Sequence, residues 1–120
     1  MNRREIGNAA ENVVCAFLEK NGYEICGRNY TVRGGEIDII ARKDDVIAFV
    51  EVKLRKEDAA VTGEEAVGFS KRQHLILAAE RYMQPLSGQF NARFDVASVV
   101  MKKNGRLSMK YYVSAFDASK

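Results

Sequence analysis

Between Val46 and Leu54 the apolar positions do not simply alternate with polar ones. Ile47, Phe49, Glu51 and Lys53 fall on one side of an extended chain and Ala48, Val50, Val52 and Leu54 on the other, because strand side chains point alternately to opposite faces. Both sides are largely apolar, which predicts a central strand. Glu36 to Arg42 and Tyr23 to Tyr30 predict two strands before it, with turns at Arg33-Gly34-Gly35 and Asp44-Asp45. Upstream, Ile6, Ala9 or Ala10, Val13 and Phe17 recur at helical spacing, Val14 and Leu18 widen the stripe, and Asn21-Gly22 supplies a stop. A second helix is predicted over Ser70 to Gln84, on Leu75, Ala78, Ala79, Tyr82 and Met83, ending before Pro85. Thr62 with Glu65 and Ser70 with Gln73 match capping boxes. Arg55 to Gly63 is polar and aperiodic, and predicts a mobile loop able to order on a ligand. Phe94 to Met101 and Leu107 to Val113 form a hairpin across Asn104-Gly105. The order is αβββαββ: an α/β protein with a mixed sheet, since the βαβ unit around the second helix favours parallel pairing.

The charged residues inside these strands change the picture. A tight hairpin at Asp44-Asp45 pairs Lys43 with Val46 and Ile40 with Phe49, which puts Asp38 opposite Glu51. Asp-Asp supplies positive φ angles less readily than Asn-Gly, though Asp tolerates them. A slip of one residue would send the two carboxylates to opposite faces. Like charges opposed in a sheet are destabilising, and burial adds a desolvation cost unless a proton, a cation or Lys53 neutralises them. A divalent metal is the natural occupant. The competing arrangement is a Glu51–Lys53 ion pair with Asp38 capping the turn at Gly34-Gly35. Glu11, beside the apolar stripe of the first helix, is either a surface residue or a further acid at the site.

Composition narrows the classes. The chain has 120 residues, enough for one domain with a sizeable core, and 47% hydrophobic with 29% charged residues argues against disorder. Its apolar runs are far shorter than the roughly 20 residues that span a bilayer, so no membrane association and a cytoplasmic location are expected. Two cysteines, Cys15 and Cys26, lack metal-ligand spacing and read as free thiols. His74, the single histidine, is a packed or rim residue and argues against nucleases built on paired histidines. A net charge of +3 is mild, but basic clusters flank the acidic strands. Among them Arg33, Arg55, Lys56, Lys71 and Arg72 are the candidate nucleic-acid contacts.

The frame Gly7-Asn8-Ala9-Ala10-Glu11, Gly22-Tyr23, Asn29, Gly35-Glu36-Ile37-Asp38, Phe49-Val50-Glu51-Val52-Lys53-Leu54-Arg55, Lys71 and Arg93-Phe94-Asp95-Val96 resembles the YraN family. Those are small bacterial proteins with a restriction endonuclease-like fold, similar to archaeal Holliday junction resolvases. The resemblance implies the nuclease constellation PD-(D/E)xK. Asp38, Glu51 and Lys53 match its two acids and its lysine, Glu11 matches the helical Glu of resolvase-like members, and Ile37 replaces the Pro. It further implies Mg²⁺ or Mn²⁺ held by Asp38, Glu51, the Val52 carbonyl and Glu11 directly or through water, with Lys71 and Gln73 in support. The implied activity is metal-dependent phosphodiester hydrolysis, of DNA rather than RNA and of branched DNA by analogy, with a homodimer suited to a junction. The alternative is a catalytically silent module of the same fold that binds nucleic acid or another protein.

Overall fold

The computed structural model describes residues 2–57 and 69–116. Helix α1 spans Arg3–Lys20, opened by an Asn2 and Glu5 capping box and closed by Asn21, after which Gly22 takes φ +90°. Strands β1 (Glu24–Val32), β2 (Gly35–Lys43) and β3 (Val46–Lys56) follow as an antiparallel meander. Helix α2 (Phe69–Met83) then crosses over to β4 (Asn91–Met101), parallel to β3, and β5 (Leu107–Phe116) returns antiparallel. The five strands lie in sequence order, β1-β2-β3-β4-β5, which places β3 at the centre. This mixed sheet and its two helices form a restriction endonuclease-like αβββαββ core.

Each face of the sheet is covered by one helix, which explains the doubly apolar pattern of β3. Ala10, Val14, Cys15 and Leu18 of α1 pack with Ile39, Ala41, Ala48, Val50, Ala97 and Val99. Leu75, Ala78 and Ala79 of α2 pack with Ile37, Ile40, Ile47, Phe49, Phe94 and Val96 on the other face. The helix α2 lies chiefly over β2 and β1. Its approach is close: a Cβ on Gly35 would sit 2.4 Å from the His74 carbonyl oxygen, so only glycine fits there. Among the described residues, no helix is long and apolar enough to cross a membrane.

The β2–β3 register is the one predicted, with Lys43 opposite Val46 and Ile40 opposite Phe49. In the turn, Asp44 takes φ +55°. Several boundaries differ from the prediction. The strand β3 continues through Arg55 and Lys56, both expected in a loop, because β4 pairs with it as far as Met101. The rest of that expected loop, from residue 58, and the Thr62–Glu65 box lie outside the described residues. Ser70 is already helical and does not cap α2, while β5 runs on to Phe116.

One irregularity is decisive for the site. Ile37 packs on the α2 face and Ile39 on the α1 face, although residues two apart in a strand share a face. The partner strand does the same between Arg28, which reaches α1, and Tyr30, which packs on the α2 side. Between them Asn29 takes φ +53°, a conformation Asn tolerates better than most residues. Both strands therefore change face at Asn29 and Asp38.

Candidate metal and nucleic-acid site

The kink opens the sheet beside Asp38. Pairing of β2 with β3 ends at Ile39 and Val50, so the next positions, Asp38 and Glu51, stand where the strands part. The carboxylate of Asp38 fills the opening: the Val52 N–H donates to its Oδ2 at 2.8 Å. Burial and the neighbouring Glu51 carboxylate push the Asp38 pKa up to about 7, against the pull of that N–H. Charges on Glu11 and Glu36 push the same way. Glu51 is only 9% exposed. Burial raises its pKa too, while Lys71 and Lys53 draw it down.

Glu51 projects to the α2 face, where the Lys71 Nζ lies 3.6 Å from Oε1. Its other oxygen, Oε2, is buried without a hydrogen-bond partner. An anionic oxygen in that state is costly unless a cation joins it. The turn-capping alternative is overturned, since Asp38 binds the Val52 N–H and the ion-pair partner of Glu51 is Lys71.

The donor set fits a hard cation that keeps several waters. Two carboxylates at the mouth of a split ladder offer oxygen ligands without closing a cage. The Val52 N–H points toward β2, and a strand residue directs its N–H and C=O to the same edge, so the Val52 carbonyl faces the same gap. No cluster of three or more His, Cys, Asp or Glu residues suited to a metal occurs among the described residues. Glu11 accordingly stands apart: Arg28 Nη2 and Asn29 Nδ2 each donate to its Oε1 at 3.2 Å. It belongs to the acidic surroundings of Asp38 and is held by β1.

The basic candidates are spread differently. Lys53 is half-buried on β3, on the same side as Glu51. Arg55 follows it on that side, Lys56 is exposed at the strand end, and Arg33 is exposed in the β1–β2 turn. The Arg72 guanidinium lies over the Phe116 ring, 5.5 Å from its centroid. His74 is exposed on α2.

A second charged group escaped the sequence reasoning. Asp95, 1% exposed, pairs in register with Val50, one residue from Glu51 but on the α1 face. Arg93 donates to it from Nε at 3.0 Å and Nη2 at 2.8 Å, the Tyr111 hydroxyl at 2.5 Å and the Ser114 N–H at 2.9 Å. The Arg93 Nη2 also donates to the Tyr23 hydroxyl at 2.7 Å. Burial and the Asp95 carboxylate hold the Tyr111 pKa well above its usual range. The available signal was the Arg-x-Asp spacing, which puts opposite charges on one side of an otherwise apolar strand. This cluster ties the irregular β4–β5 ladder to Tyr23, just beyond α1, and supplies the buried Asp95 carboxylate with donors from within the chain.

The sheet and its two helices define the class as a restriction endonuclease-like α/β protein, with Asp38 on β2 and Glu51 on the central strand β3 where the two strands part. The chain belongs to the YraN family, described as uncharacterised protein family UPF0102, whose model matches residues 10–99. It is 40% identical over 118 residues to a UPF0102 protein of Myxococcus xanthus, covering 97% of this chain and 92% of that one. UPF0102 proteins of Dictyoglomus thermophilum and Caldicellulosiruptor saccharolyticus are 39% and 41% identical over 118 residues, each covering 97% of this chain and 100% of the relative.

Proposed function

We propose that the protein is a metal-dependent endonuclease that hydrolyses phosphodiester bonds in DNA, with branched DNA the substrate class suggested by its resemblance to junction resolvases. The observation that carries the reading is the buried, partnerless Oε2 of Glu51 beside an Asp38 whose pKa is pushed up to about 7. Such a pair is maintained at a cost and becomes favourable once a cation occupies it. Asp38, Glu51 and the Val52 carbonyl would hold Mg²⁺ or Mn²⁺, with Glu11 reached through water. When bound, the metal lowers the pKa of a water and clamps the scissile phosphate.

The remaining work falls to this chain's own groups. Lys53, on the same side of β3 as Glu51, offers its ammonium to the non-bridging oxygens where charge develops in the transition state. Lys71 holds Glu51 in the ground state and gives a second cation for phosphate at the mouth of the gap. Asn29 and Arg28 fix Glu11 so that its charge stays near Asp38 without joining the pair.

The test compares wild type, Glu51→Gln and Lys53→Ala for Mn²⁺ binding by calorimetry and for cleavage of flap, junction and duplex DNA. Wild type should bind Mn²⁺ and cut, Glu51→Gln should lose both, and Lys53→Ala should bind Mn²⁺ but cut at least about a hundredfold more slowly. Equal Mn²⁺ affinity in wild type and Glu51→Gln would remove the metal site. Metal binding with no turnover on any DNA would leave the silent nucleic-acid-binding module.

A further inference from the structure

Among the described residues α2 lies chiefly over β2 and β1, and on that face of the sheet exposure increases toward the edge strand β5. The register sets rows of residues across β3, β4 and β5 on this face, running from buried Glu51 and half-buried Lys53 to the exposed edge. Glu51 is opposite Val96 and Val96 opposite Tyr112; Lys53 is opposite Ser98 and Ser98 opposite Lys110. Leu107, Met109 and Tyr111 pack on the α1 face, so Lys110 and Tyr112 project to the face that carries Glu51 and Lys53. Tyr112 is 49% exposed and Lys110 is exposed. Two strand spacings, about 10 Å, separate this edge from Glu51.

From this arrangement we infer that Lys110 and Tyr112 form a shelf that binds an unpaired DNA strand leading to the acidic pair. The inference rests on the endonuclease reading and names the form of its substrate. The chemistry selects the occupant. Lysines at both ends of the Lys53–Ser98–Lys110 row and a serine hydroxyl between them match a phosphate backbone. A half-exposed phenol ring offers a flat apolar surface to a base. A paired base in a duplex has both faces stacked and cannot use that ring, whereas an unpaired one can. The same strand carries an internal control, since Val113 is 58% exposed at the neighbouring position, where the alternation of β5 turns it away from the shelf.

The experiment measures binding of oligodeoxythymidine and of a duplex of the same length by fluorescence anisotropy, in EDTA and at several salt concentrations. The proteins are wild type, Tyr112→Ala, Tyr112→Phe, Lys110→Ala and Val113→Ala, each checked for an unchanged melt. Tyr112→Ala should weaken single-strand binding by roughly 5- to 150-fold with little change on duplex, and Tyr112→Phe should restore it. Lys110→Ala should reduce the single-strand salt slope by about 0.7, and Val113→Ala should behave as wild type. Equal losses on both DNAs, no loss in Tyr112→Ala, or no single-strand binding by wild type would overturn the shelf. Because these assays need neither metal nor turnover, the two readings fail separately. A Tyr112-dependent single-strand affinity in a protein that never cuts would keep the shelf and discard the nuclease. Metal-dependent cutting with no effect at Tyr112 would do the reverse.

Discussion

Replacing Asp38 by Asn should make the metal-free protein more stable, and only above acidic pH. In the folded chain the Asp38 pKa rises from 3.8 to about 7, through burial first and Glu51 second. The folded state therefore holds this proton more tightly than the unfolded state does. Between the two values the native protein binds more protons, so its stability falls as pH rises, and the loss is complete once pH passes the folded pKa. A shift of that size corresponds to about 4 kcal/mol. Asn keeps the shape and an oxygen for the Val52 N–H, but has no charge to desolvate. Urea unfolding in EDTA from pH 4 to pH 8 should give curves for wild type and Asp38→Asn that diverge from pH 4 to about pH 7 and level off above it. For a chain of this size the thermal midpoints should differ by roughly 10 °C or more at the alkaline end. Mn²⁺ at a hundredfold excess over its dissociation constant should then return about 2.7 kcal/mol to wild type at pH 8 and nothing to Asp38→Asn. Parallel stability curves across this range would refute the reasoning, because the Asp38–Glu51 repulsion would then be absent from the folded state.

Other substitutions probe the frame around the pair. Gly35→Ala should cost about 1–3 kcal/mol in chemical denaturation, since a Cβ there overlaps the His74 carbonyl and α2 must shift. Asn29→Val should lose roughly 1–3 kcal/mol while Asn29→Gly loses far less, as the left-handed backbone is what the position demands; equal losses would place its role in the side chain. Asp95→Ala should cost about 2–3 kcal/mol because it leaves the half-buried Arg93 guanidinium, the Tyr111 hydroxyl and the Ser114 N–H without their acceptor, and the Asp95→Ala, Arg93→Met double variant should recover part of that loss.

The helices and strands were legible because their signals are local. The stripe of α1, the Asn-Gly hairpin and the two apolar sides of β3 each follow from a few consecutive residues. The register of β2 with β3 was legible as well, since the turn at Asp44-Asp45 fixes the parity that brings Asp38 to Glu51. What lay hidden depends on distant partners. Nothing local shows that the ladder ends at Ile39, for the kink involves Asn29 on another strand. Lys71 could be ranked as a phosphate contact but not as the residue beside Glu51, which depends on how α2 sits over the sheet. The Asp95 cluster draws on residues from Tyr23 to Ser114, and its burial inverts the ordinary expectation for an aspartate.

The crossover between β3 and α2 divides the molecule into two chemically unlike pieces. Everything before it includes Glu11, Asp38, Glu51 and Lys53; everything after it includes Lys71, Arg72, Lys110 and Tyr112. The seam is the 11-residue parallel ladder of β3 with β4. A chain severed at the crossover would yield one half with its carboxylates lacking the Lys71 counter-charge and another with cations lacking their acids. Neither half alone would hold the arrangement around Glu51, and re-formation of the ladder would restore it. The protein is thus a natural candidate for a split reporter, in which bringing two fusion partners together is read out as the return of the Lys71–Glu51 contact.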